Sequence, residues 1–199
     1  MKKSPATWRQ ELVVRVIACD DGEVRKLGEG YTIAVCTRWS NEYGLEDLTA
    51  APIPVDGSNA TNILLNLVNK IKYNYIIHAI LLDSITIAGF NYINIERLSS
   101  LSSLPVITVY TYKPRFDRLF KAMKIAGLDA DPDRINSLKI INNIIHILSV
   151  KGNLYILTEG VNATQARRIL SQLQAFDRKP IPLRLAHYIA SALSRILSL

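Results

Sequence analysis

The order in which strand-like and helix-like runs follow one another constrains this chain more than any single residue does. Leu12 to Cys19 is an apolar run broken only by Arg15 and closed by Asp20-Asp21-Gly22, which reads as a strand entering a polar turn. Tyr31 to Trp39, β-branched and aromatic, reads as a second strand. Leu45 to Val55 reads as a weaker third, which Pro52 and Pro54 confine to a sheet edge or a bulge. Three strands with short connections predict an antiparallel meander.

From there the pattern alternates. Asp56-Gly57-Ser58 is a turn with a helix N-cap, after which Ile63, Leu64, Leu67, Val68 and Ile71 share one helical face. Tyr75 to Leu82 is a continuous apolar strand of the kind covered on both faces in parallel sheets. Asn94 to Leu101 reads as a short helix and Pro105 to Tyr110 as another buried strand. Pro114 introduces a helix over Arg115 to Ala126, with Gly127 as its stop. Asp129 to Asp133 is the most linker-like spot, too short to separate domains. Ile140 to Val150 and Asn153 to Thr158 flank Lys151-Gly152 as a tight hairpin. Amphipathic helices are expected over Val161 to Phe176 and from Pro182 onward. The whole predicts one mixed α/β domain over residues 1–199, a sheet flanked by helices.

The 199 residues are 49% hydrophobic and 21% charged, enough for a core and incompatible with wholesale disorder. A net charge of +7 favours polyanionic partners. The two cysteines, Cys19 and Cys36, exclude a disulfide scaffold and a cysteine metal site. They read as buried thiols in a reducing compartment, with a pairing across neighbouring strands left open. No apolar run of signal-peptide type follows Met1-Lys2-Lys3-Ser4-Pro5, and no stretch approaches the ~20 apolar residues of a membrane span, so a cytoplasmic protein without a membrane partner is expected. A phosphate loop, a nucleophile elbow, a zinc motif and a nicotinamide fingerprint are all missing from the sequence.

In open α/β sheets functional groups gather at the carboxyl ends of central strands. Asp20 and Asp21 end the first strand, Asp83 ends the fourth, and Lys113 lies just beyond the fifth. If those strands are sheet neighbours, Asp20 and Asp83 converge and form a hard oxygen site suited to Mg²⁺ or Mn²⁺. The competing reading is that such aspartates hold turns and cap helices, which is favoured for Asp21 beside Gly22. Asn91 reads as the cap of the helix beginning near Asn94, or as an amide offered to a ligand. His78 and His146 read as satisfied core histidines. Lys113, Arg115, Arg118, Lys121 and Lys124 form one basic concentration, and Arg167, Arg168, Arg178, Lys179 and Arg184 a second. With Tyr110 and Tyr112 as a stacking face, they suggest a nucleic-acid partner, DNA or RNA; solvated surface and ordinary packing are the alternatives.

Several stretches together resemble a known family: Val16-Ile17-Ala18-Cys19-Asp20-Asp21-Gly22; Val55-Asp56-Gly57-Ser58-Asn59-Ala60-Thr61; Leu82-Asp83-Ser84-Ile85-Thr86-Ile87-Ala88-Gly89-Phe90-Asn91; Leu104 to Val109; and Pro182 to Ser191. The chain is similar over nearly its whole length to the largely archaeal domain-of-unknown-function family ninety-nine, itself similar to endonuclease V. The resemblance implies a ribonuclease-H-like fold. By it, Asp20 and Asp83 resemble the two metal-holding aspartates of endonuclease V, Lys113 a lysine near that site, and His187 a further candidate. The chain departs from the family's Asp-Gly-x-Asp-Ala-Thr-Glu pattern, with amides at Asn59 and Asn62, and has Ser84 where the family prefers glycine. The third acidic ligand has no assigned counterpart. Three readings follow: a divalent-metal-dependent nuclease, a catalytically silent nucleic-acid-binding module, and an interaction scaffold.

Overall fold

The computed structural model describes residues 13–128 and 138–197; the linker-like Asp129 to Asp133 lies outside the described residues. In chain order the elements are β1 (Arg15–Asp21), β2 (Tyr31–Ser40), β3 (Gly44–Pro54), α1 (Ala60–Ile71), β4 (Ala79–Leu82), β5 (Thr86–Ile87), β6 (Asn91–Tyr92) and α2 (Ile95–Ser102). There follow β7 (Val106–Tyr110), α3 (Phe116–Ile125), a 3₁₀ turn (Leu138–Asn143), β8 (Ile145–Ser149), β9 (Gly152–Glu159), α4 (Ala163–Ser171) and α5 (Ile181–Ile196).

Seven strands form one mixed sheet in the order β3-β2-β1-β4-β7-β9-β8. The meander is as expected, with the proline-bearing β3 at an edge, where a missing N–H costs no ladder bond on the open side. Parallel pairing joins β1 to β4 and β4 to β7, so the first, fourth and fifth strands of the sequence reading are indeed neighbours. The sheet then returns to antiparallel pairing through the β8–β9 hairpin.

Alternation along β1 sorts the core. Ile17 and Cys19 face one layer, packed with Leu64, Leu67 and Val68 of α1 and Leu98 of α2. Val16 and Ala18 face the other, packed with Ala166 and Leu170 of α4 and Leu183 and Ala186 of α5. A period of two in the strands thus meets helices on both sides, each fully buried Leu or Ile contributing roughly 1.5–3 kcal/mol.

Several expectations are corrected. Cys19 and Cys36 are not thiols but a disulfide: the β1–β2 register sets them directly opposite, with Cα atoms 4.1 Å apart. The fourth strand begins at Ala79; Tyr75 and Ile76 are exposed, and the Tyr75 ring lies beneath the guanidinium groups of Arg15 and Arg38. The helix expected to reach Phe176 stops at Ser171, leaving a loop over residues 172–180. Residues 140–143 belong to the 3₁₀ turn rather than to a strand. His78 is half-buried, its Nδ1 accepting from the Arg15 amide, while His146 is exposed on the edge strand and stacked on Tyr155.

Candidate functional site

The last parallel pair between β1 and β4 is Cys19 with Leu82, so Asp20, still paired with Val35 of β2, and Asp83, one residue past β4, fall at the same end of the two strands. The pleat decides where each carboxylate goes. Asp20 continues the Val16–Ala18 face toward α5, and Asp83 continues the Ala79–Leu81 face on the same side. Asp21 belongs to the opposite face, where its Oδ2 accepts the Ala88 amide at 2.6 Å. Two consecutive aspartates therefore have different surroundings: Asp21 holds the turn between β5 and β6, while Asp20 is aimed at the α5 side.

Asp20 is 9% exposed. Its Oδ1 accepts the Asp21 amide at 2.9 Å, but Oδ2 is buried without a hydrogen-bond donor. His187 Nδ1 on α5 stands 3.2 Å from that oxygen, an ion-pair distance when the imidazole is protonated, though not in hydrogen-bonding geometry. Burial, reinforced by the nearby Asp83 charge, pushes the Asp20 carboxyl up to about 6; the Asp21 amide and the Lys179 charge pull the other way. Burial and then the Asp20 charge push Asp21 up to about 7 against the Ala88 hydrogen bond. Asp83 is half-buried, and its Oδ2 receives Lys179 Nζ at 2.8 Å from the loop preceding α5.

The surrounding loops are fixed from the same end. Gly22 lies against α5, where an added Cβ would fall 2.6 Å from Ser194 Cβ, and Glu23 donates its amide to Ser194 Oγ. Asp56 gathers the β2 approach and the β5–β6 turn by accepting the amides of Gly28 and Phe90, each at 2.7 Å. Between them Gly89, at φ +81°, has no room for a Cβ beside Asp56 Oδ1.

Other sequence candidates have different neighbours. Asn91 is fully buried and caps α1, not α2: its Oδ1 accepts the Ala60 amide, while its Nδ2 reaches the Pro54 carbonyl and Asn59 Oδ1. The cap of α2 is Asn94, because its own side chain accepts the Arg97 amide. The N-cap of α1 falls at Asn59, beyond the expected turn. Tyr110 is not part of a stacking face. Its ring sits edge-on to Phe116, its hydroxyl accepts the Ile85 amide, and burial makes its phenol harder to ionise. Tyr112 is 73% exposed. Lys113 is exposed after β7, and among the described residues no ion pair joins it to Asp20 or Asp83. The cation on Asp83 is Lys179, which sequence reasoning counted only within a basic concentration.

A buried carboxylate oxygen without a donor, beside a second carboxylate, is a hard-oxygen arrangement that fits a divalent cation. Among the described residues there is no group of three or more His, Cys, Asp or Glu side chains able to hold a metal. Mg²⁺ is commonly held by one or two carboxylates, with water and substrate phosphates completing its shell. No helix among the described residues is long and apolar enough to cross a membrane.

Comparison with known proteins adds the following. The family model described as endonuclease dU matches residues 13–194. A UPF0215 protein of Aeropyrum pernix is 34% identical over 184 residues, covering 91% of this chain and 98% of its own. A UPF0215 protein of Thermococcus sibiricus is 34% identical over 182 residues, covering 90% and 91%. Among solved structures, a protein of unknown function from Archaeoglobus fulgidus superposes with a TM-score of 0.74 at 25% identity, covering 90% of this chain and 98% of that one. Endonuclease V of Ciona intestinalis, solved with a 24mer DNA containing an inosine, superposes with a TM-score of 0.59 at 13% identity, covering 98% and 92%. The endonuclease V likeness expected from the sequence motifs extends to the fold. The number ninety-nine does not come with these matches.

Proposed function

The chain belongs to the endonuclease dU family, and from that membership we propose that it binds nucleic acid and hydrolyses phosphodiesters with a divalent ion held by Asp20 and Asp83. The observation that carries this reading is the shared end of β1 and β4, where Asp20 and Asp83 follow the last residues paired between those two strands and one Asp20 oxygen is buried without a donor. Held there, Mg²⁺ or Mn²⁺ would supply an activated water and offset charge on the phosphate. The chain's own groups do the rest. Asp20 and Asp83 aim their oxygens to one side of the sheet; Lys179 balances the Asp83 charge and is within reach of an incoming phosphate. Lys113 stands exposed on the loop leaving β7 and is the second cation available to developing phosphate charge. His187, half-exposed and 3.2 Å from Asp20, places an imidazole at the solvent side of that carboxylate. The exposed Arg115, Arg118, Lys121 and Lys124 around α3 supply phosphate contacts without sequence preference.

Endonuclease V crystallised on inosine-containing DNA and a family described as endonuclease dU support DNA or RNA with an altered base as the substrate class. The test uses labelled single-stranded and duplex DNA and RNA, plain or carrying inosine or dU, with Mg²⁺, Mn²⁺ or chelator. Cleavage is expected with metal only, falling by roughly two orders of magnitude or more in Asp83→Ala. Cleavage that persists in chelator, or in that variant, rejects the proposal. A nucleic-acid-binding module without catalysis is the second reading. It is favoured by the Lys179 ammonium already seated on Asp83 and by amides at Asn59 and Asn62, and binding without cleavage in either metal would establish it.

A further inference from the structure

The loop between α4 and α5 carries more than Lys179. The guanidinium carbon of the preceding residue, Arg178, lies 4.6 Å from the ring centroid of Tyr112, which emerges just after β7. The stack is therefore one residue along the chain from the cation on Asp83, and Tyr112 itself is 73% exposed. Arg178 is held in place rather than left to wander. Its carbonyl accepts Gln174 Nε2, and its stem crosses Gly152, where an added Cβ would come 3.3 Å from Arg178 Cδ. Asp177 beside it is bound by Arg184 and by the Lys179 amide.

Two further rings stand in water nearby in the chain: Phe176, 86% exposed in the same loop, and Tyr188, 62% exposed and next to His187. The carboxylate edge is thus approached by segments that interleave exposed aromatic and cationic side chains. Aromatic and guanidinium planes present flat faces on which a nucleobase stacks, and only an unpaired base can use them. Resting on the proposed function, we infer that the Tyr112–Arg178 layer receives an unpaired base of the bound strand, which makes single-stranded or locally unpaired nucleic acid the substrate class.

The experiment measures equilibrium binding to the full chain in chelator, at low salt, of a fluorescein-labelled 12-mer single strand, the corresponding duplex, and an abasic strand of the same length. The single strand binds more tightly than the duplex. Tyr112→Ala weakens single-strand binding by roughly 5- to 150-fold, Tyr112→Phe restores it, and the abasic strand binds wild type and Tyr112→Ala alike. Equal single-strand affinity for wild type and Tyr112→Ala, or equal losses for the normal and abasic strands, overturns the stacking layer and leaves the nuclease reading standing. Wild-type protein that binds no strand at low salt overturns both.

Discussion

Asp20 and Asp21 differ in what their burial costs and in what repays it. Asp21 ends on a backbone amide, whereas one oxygen of Asp20 has no donor. The Asp20 carboxyl, raised from 3.8 to about 6, is harder to ionise in the folded chain than in the unfolded one. That gap corresponds to roughly 3 kcal/mol, present as stability below about pH 4 and lost as pH rises through 6. In chelator, Asp20→Asn is therefore expected to be more stable than wild type by on the order of 2–3 kcal/mol near pH 8, with the difference vanishing near pH 4. Denaturant unfolding at the two pH values checks it, and an Asn variant less stable at pH 8 would contradict it. The two aspartates were legible as candidates because an acid closing an apolar strand must find a partner. Lys179 was not: its bond to Asp83 spans 96 residues of sequence, and no local pattern encodes it.

Among the elements, the strands whose both faces are covered were the readable ones. Over Tyr75 to His78 the apolar letters mislead, because Tyr75 is spent under two guanidinium groups and Ile76 stays in water. The helix expected over Val161 to Phe176 was too long at its end: Leu173 is buried from the loop, after α4 has ended at Ser171. The disulfide was undecidable from spacing, since facing cysteines require the β1–β2 register, which a one-residue slip would reverse. Cys19 and Cys36 are separated by 17 residues, and cross-linking a loop of that size is worth about 3 kcal/mol through the unfolded chain. Reduction, or the double variant Cys19→Ala with Cys36→Ala, should lower unfolding stability by that order. Two thiols titrating in the unreduced, unfolded protein would contradict the linkage.

For the whole molecule, the sheet is what turns separate sequence signals into a site. The meander, the parallel centre and the basic surface were each readable along the chain. That Asp20 and Asp83 fall at one end of neighbouring strands depends on β4 lying between β1 and β7. The same arrangement puts the loop of Arg178 and Lys179 against that end. Everything proposed of the function rests on the two carboxylates sharing one ion. Calorimetric titration of the metal-free protein with Mn²⁺ tests this most directly. One bound ion is expected, with its heat lost in Asp20→Ala and in Asp83→Ala alike; no heat in the wild type, or the same heat in both variants, would contradict it.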